Sequence, residues 1–66
     1  MTIGEKIKEL RYEHDWSQGQ LSIKSGLKQQ YISGWENGKY EPSIQSCIAL
    51  ANVFGVTLDE LCCREV

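Results

Sequence analysis

Ser17-Gln18-Gly19-Gln20-Leu21-Ser22-Ile23-Lys24-Ser25-Gly26-Leu27-Lys28-Gln29-Gln30-Tyr31-Ile32-Ser33-Gly34-Trp35 decides the fold of this chain. Ser17, with Gln20 three residues on, is a capping pair whose hydroxyl and amide satisfy two backbone donors that a helix start leaves open. Leu21 falls on the inward face of the helix that follows, and Gly26 supplies the left-handed backbone that stops it. A second short helix carries Ile32 and Trp35 inward and leaves Gln29, Gln30 and Ser33 as polar groups toward the other side. The stretch therefore predicts two short amphipathic helices joined by a tight turn.

The same start signal recurs on either side, at Thr2/Glu5 and Thr57/Glu60. Trp16 before one cap and Val56 before another are placed to staple onto Leu21 and Leu61. Hydrophobic spacing then predicts helix one over about Ile3 to Glu13, with Ile3, Ile7 and Leu10 inward, and helix two over about Gln18 to Lys24. Helix three covers about Gln29 to Glu36 and stops at Asn37-Gly38, and Pro42-Ser43 opens helix four. That helix, about Ile44 to Phe54, has a core-facing stripe at 44, 47, 48, 51 and 54, and a second apolar group at 49, 50 and 53. Gly55 ends it and Thr57 begins helix five, with Leu58 and Leu61 directed at the core. No segment alternates with the period of a strand, and no repeat is present.

With 66 residues there is room for one domain, residues 1–66, burying roughly 60% of the surface of its unfolded chain. An apolar fraction of 41% and a charged fraction of 24% fit a folded domain and argue against disorder. The uncharged run from Pro42 to Leu58 holds Ser43, Gln45, Ser46 and Asn52, which a lipid-spanning helix would not tolerate, and the N-terminus has no secretory pattern. A cytoplasmic location is expected. Cys47, Cys62 and Cys63 lack metal-ligand spacing and read as reduced thiols, the vicinal pair Cys62-Cys63 leaving a redox role open, with no metal and no cofactor. His14, the only histidine, has no nucleophile placed near it and reads as a solvated loop residue, while Asp59 and Glu60 are explained by helix capping. Nothing here suggests an enzyme. The net charge of −2 does not advertise a nucleic-acid partner, yet the segment from residue 17 to residue 43 is net positive, through Lys24, Lys28 and Lys39.

Ile7-Lys8-Glu9-Leu10-Arg11, Trp16-Ser17-Gln18, Leu21, Ser25-Gly26-Leu27, Ile32-Ser33, Trp35-Glu36-Asn37-Gly38-Lys39, Pro42-Ser43-Ile44 and Leu50-Ala51-Asn52-Val53-Phe54-Gly55-Val56 together closely resemble one family. It is the Cro/repressor-type helix-turn-helix family of bacterial and phage transcription regulators, and the resemblance covers nearly the whole chain. It implies an all-α, five-helix, lambda-repressor-like domain with the helix-turn-helix at helices two and three. It also implies binding of double-stranded DNA as a homodimer, as a repressor of a palindromic operator. In such domains the second helix of the motif enters the major groove and the first crosses the backbone.

On that basis Gln29 and Gln30 are the expected base contacts, since glutamine can hold adenine by two hydrogen bonds, with Ser33 one turn on. Ser17, Gln18, Lys28, Asn37, Lys39 and Tyr40 are expected at phosphates, which position the protein without reading sequence. Tyr31 is open between a phosphate, a thymine methyl and packing on helix two. Arg11 and Glu36 match positions that form a structural ion pair. Lys28 replaces the usual hydroxyl cap of helix three, and Gly34 replaces a side chain that often reaches a base, which would narrow the readout. Val53, Cys62, Cys63 and Val66 are expected in a two-fold apolar interface, with Cys62 or Cys63 near its symmetry mate. The alternative is a protein-interaction module, or an antitoxin-like partner protein, on the same fold; acidic composition favours it and the polar glutamines oppose it.

Overall fold

The computed structural model describes residues 2–62 as five helices: α1 (Ile3–Glu13), α2 (Gln18–Ser25), α3 (Gln29–Glu36), α4 (Ile44–Phe54) and α5 (Leu58–Leu61). Capping chemistry sets the starts. Thr2 and Ser17 form complete capping boxes with Glu5 and Gln20. Ser43 accepts from the Ser46 amide at 3.2 Å. At Thr57 the hydroxyl accepts from the Glu60 amide at 3.1 Å, but the reciprocal half of the box expected there does not form. The α2–α3 turn is locked: Gly26 sits at φ +75°, the Ser22 hydroxyl donates to the Leu27 carbonyl, and the Leu27 amide donates to Ser25 Oγ at 3.2 Å.

Ile7, Leu21, Ile32, Leu50 and Leu61 are fully buried, one from each helix, and Trp35, Cys47 and Phe54 complete the centre. Burying a side chain of this size stabilises by about 1.5–3 kcal/mol. Two core expectations need correction. The inward stripe of α4 is Cys47, Leu50, Ala51 and Phe54, while Ile44 and Ile48 are exposed at 66% and 44%. Both stripes obey the helical period, so spacing cannot choose the phase; packing against α2 and α5 chooses the one centred on Leu50. Leu58 is also exposed, because the single turn of α5 buries only Leu61. His14 is exposed but is no simple loop residue: its ring stacks on Trp16 at 4.3 Å and on Phe54 at 5.7 Å. The Trp16 ring likewise stacks on Phe54, bringing the α1–α2 turn onto the end of α4.

One contact sets how closely α1 and α3 approach. Gly4 is buried, and a Cβ built on it would lie 1.9 Å from the Trp35 carbonyl oxygen. The two helix backbones meet there with no space for a side chain.

Candidate nucleic-acid interface

Arg11, at the end of α1, organises the interface from behind. Its Nε and Nη2 donate to the two oxygens of the Glu36 carboxylate, both at 2.9 Å, and Nη1 donates to the Trp16 carbonyl at 2.9 Å. Gln18 Nε2 adds a fourth bond, to Glu36 Oε1 at 3.1 Å. The Arg11 and Glu36 side chains are only 9% and 3% exposed. The hydrogen bond it donates to Glu36 raises the Arg11 pKa above its already high value, so the guanidinium stays charged. A bidentate fork of this kind fixes angle as well as distance. The end of α1, the start of α2 and the end of α3 are thereby held as one unit, as the family resemblance implies for Arg11 and Glu36.

On the outer side of that unit, Lys28, Gln29, Gln30 and Tyr31 are exposed and Ser33 is half-buried. The Gln29 side-chain oxygen lies 3.6 Å from where a Gly19 Cβ would stand, and Ser17 Oγ 3.8 Å from the same point. Gln29 therefore leans over the first turn of α2. Asn37 Nδ2, at the C-cap of α3, donates to Ser33 Oγ one turn back at 3.4 Å. Lys28 caps α3 with no side-chain hydrogen bond. Asn37, Lys39 and Tyr40 are exposed in the segment after α3. Two residues make contacts that the sequence did not single out. Tyr31 stacks on Trp35 of its own helix, ring centres 6.5 Å apart, which settles its packing partner while leaving it 44% exposed. Gly34 is buried under the Tyr40 ring, a contact that sequence gives no means of seeing.

Val53 and Cys62 are half-buried and pack on the core; Cys63 and Val66 lie outside the described residues. The apolar side chains that α4 and α5 leave exposed are instead Ile44, Ile48 and Leu58. Cys47 is a buried thiol whose pKa is pushed up to about 11 by burial, with the nearby Cys62 thiol adding to the shift. The folded state thus keeps a proton that the unfolded chain releases from about pH 9. The stabilisation is full below pH 9 and is lost as pH rises toward 11, by an amount on the order of 2–3 kcal/mol. Urea unfolding at pH 8 and pH 10.5 should show this loss, and Cys47→Ala should remove most of it. An equal alkaline loss in the variant would assign the effect to other groups.

A buried ion pair behind, a locked turn and a polar helix face in front define a helix-turn-helix head. A family model described as "Helix-turn-helix" matches residues 7–61, and the chain belongs to that family, in its Cro/repressor-type branch. It is 32% identical over 65 residues to the immunity repressor protein of Bacillus phage phi105, an alignment covering 98% of this chain and 45% of that protein. Among solved structures, SinR, a master regulator of biofilm formation crystallised in complex with DNA, superposes with a TM-score of 0.87. It is 33% identical, over 91% of this chain and 97% of that one. The restriction-modification controller protein C.AhdI of Aeromonas hydrophila gives a TM-score of 0.84 at 32% identity, over 89% of both chains. The chain spans less than half the length of the first curated relatives it matches.

Proposed function

We propose that the chain binds double-stranded DNA sequence-specifically as a homodimeric transcription regulator, repressing from a two-fold symmetric operator. The observation that carries this reading is the outer face of α3. Gln29 and Gln30 are exposed at its start beside Lys28, and the far end of the helix is held by the Arg11–Glu36–Gln18 cluster. A helix anchored at its far end, with amide side chains at its tip, suits the major groove, where each base pair shows a distinct pattern of donors and acceptors. Glu36 already takes one bond from the Gln18 amide, which orients that residue for a phosphate oxygen at the α2 N-terminus. Ser17 caps the same helix, and the exposed Asn37 and Lys39 are available to the backbone on the other side. The DNA complex of SinR and the repressor role of the phage relative support the reading. Binding without catalysis, in the cytoplasm, goes with it, and no described helix is long and apolar enough to cross a membrane.

Dimerisation goes with the α4–α5 side, where Ile44, Ile48 and Leu58 are exposed and Val53 and Cys62 are half-buried; Cys63 and Val66, expected in the same interface, lie outside the described residues. A domain this small gains needed stability from such an interface. Gln29→Ala and Gln30→Ala should each weaken binding to a cognate duplex by about 1–3 kcal/mol and barely change binding to a scrambled one. Titration followed by sedimentation measures both affinity and stoichiometry, with two protomers per cognate duplex expected. Equal losses on the two duplexes would show that these glutamines do not read bases, and a single bound protomer would remove the symmetric operator.

A further inference from the structure

Gly34 stands one residue beyond Ser33 and one turn beyond Gln30, on the flank of the α3 face assigned to the DNA. A side chain there would extend that face. A Cβ built on Gly34 would lie 2.4 Å from Cε2 of the Tyr40 ring, 2.5 Å from Cζ and 2.6 Å from the hydroxyl oxygen. The hydroxyl-bearing edge of Tyr40 thus occupies the space that any other residue at position 34 would fill. The loop is built to deliver it. Gly38 turns the chain at φ +75°, and the Lys39 amide donates to the Gly34 carbonyl at 2.9 Å, which draws residue 40 back along α3. Half of Tyr40 remains exposed, so the ring covers Gly34 without being consumed in the core.

We infer that Tyr40 reads a base pair in the major groove in place of the arm that position 34 lacks, and that Gly34 sets specificity by admitting it. The inference rests on the DNA-binding reading above. A phenol hydroxyl both donates and accepts, and the ring edge is apolar, so Tyr40 offers a base edge a hydrogen bond and a thymine methyl a contact surface. An arm lent by the following loop is stiffer than a long flexible side chain, because the ring is already seated against the helix backbone. It gives up less rotamer freedom on docking. Gly34 does not narrow the readout, as its missing side chain alone suggests; it passes that role to a residue six positions later.

The test is a set of duplexes in which every operator position is varied singly, titrated with wild type, Tyr40→Phe, Gly34→Ala and Gln30→Ala. Tyr40→Phe keeps the ring and removes the hydroxyl, while Gly34→Ala leaves the hydroxyl but evicts the ring. Both are expected to relax preference at one shared position, losing roughly two- to tenfold on the cognate duplex and nothing on a scrambled one. Gln30→Ala should relax a different position. If Tyr40→Phe weakens cognate and scrambled duplexes alike, the hydroxyl meets a phosphate and the inference falls. If neither variant alters any position while Gln30→Ala does, Tyr40 does not read DNA although α3 does. If wild type itself shows no preference, the DNA reading fails first. Helical circular dichroism of Gly34→Ala confirms that its α3 is intact, and Tyr40→Phe, which leaves the α3 backbone untouched, carries the test independently.

Discussion

Arg11→Ala should leave the domain largely unfolded at ordinary temperature and abolish any activity that depends on α3. The guanidinium supplies three of the bonds in the cluster, and its loss strands the carboxylate of Glu36, a side chain only 3% exposed in the intact pair, with only the Gln18 amide beside it. Stranding one partner of a buried pair costs about 3–5 kcal/mol. A chain of this size has roughly 3–10 kcal/mol of stability in total, so the loss consumes a large share of it. Arg11→Lys should not rescue, since an ammonium cannot form the fork that meets both carboxylate oxygens and still reach the Trp16 carbonyl. Arg11→Met combined with Glu36→Met should recover most of the stability, because the stranded charge is gone. Thermal unfolding of the three variants decides. If Arg11→Ala melts within a few degrees of wild type, the cluster does not hold the helices together.

Gly4→Ala should be the second most damaging single change, although alanine is the better helix former by about 1 kcal/mol. The added methyl meets the Trp35 carbonyl oxygen at 1.9 Å and its carbon at 2.9 Å. Both are backbone atoms, so relief requires α1 and α3 to separate. Separation loosens Ile7 against the core and lengthens the Arg11–Glu36 bonds, and overpacking of this kind typically costs about 1–3 kcal/mol before such knock-on losses. A melting point lowered by at least about 8 °C is expected, taking 4–8 °C per kcal/mol for a domain of this size. The same substitution at Gly34, also inside a helix, meets a side chain that can swing away. A Gly4→Ala variant as stable as wild type would mean that the two helices have slack where none is visible.

The contrast between those glycines marks the boundary of what the sequence alone conveys. Local chemistry was largely legible: hydroxyl caps at Thr2, Ser17 and Thr57, a glycine stop at Gly26 and the opening at Pro42-Ser43 place the helix bounds within a residue. The Arg11–Glu36 pair was legible through the family resemblance. The phase of α4 was not, because 44/47/48/51 and 47/50/51/54 are equally periodic and only the position of its neighbours separates them. Nor were Gly4 and Gly34, whose meaning lies in what a distant segment brings against them. The bond from Gln18 to Glu36 was hidden for the same reason: nothing in a glutamine at a helix start announces a carboxylate eighteen residues away.

The unequal fastening of α3 has a mechanical consequence. Its heel is riveted by Glu36, while its toe, at Lys28, begins without a side-chain clasp. On the DNA-binding reading such a helix behaves as a cantilever: the fixed end dictates the approach angle and the compliant tip feels for fit. Immobilising a glutamine side chain costs about 0.5–1.5 kcal/mol, and only a matching base returns it. Discrimination is then concentrated at the yielding end of the lever, and the stiff end carries the load.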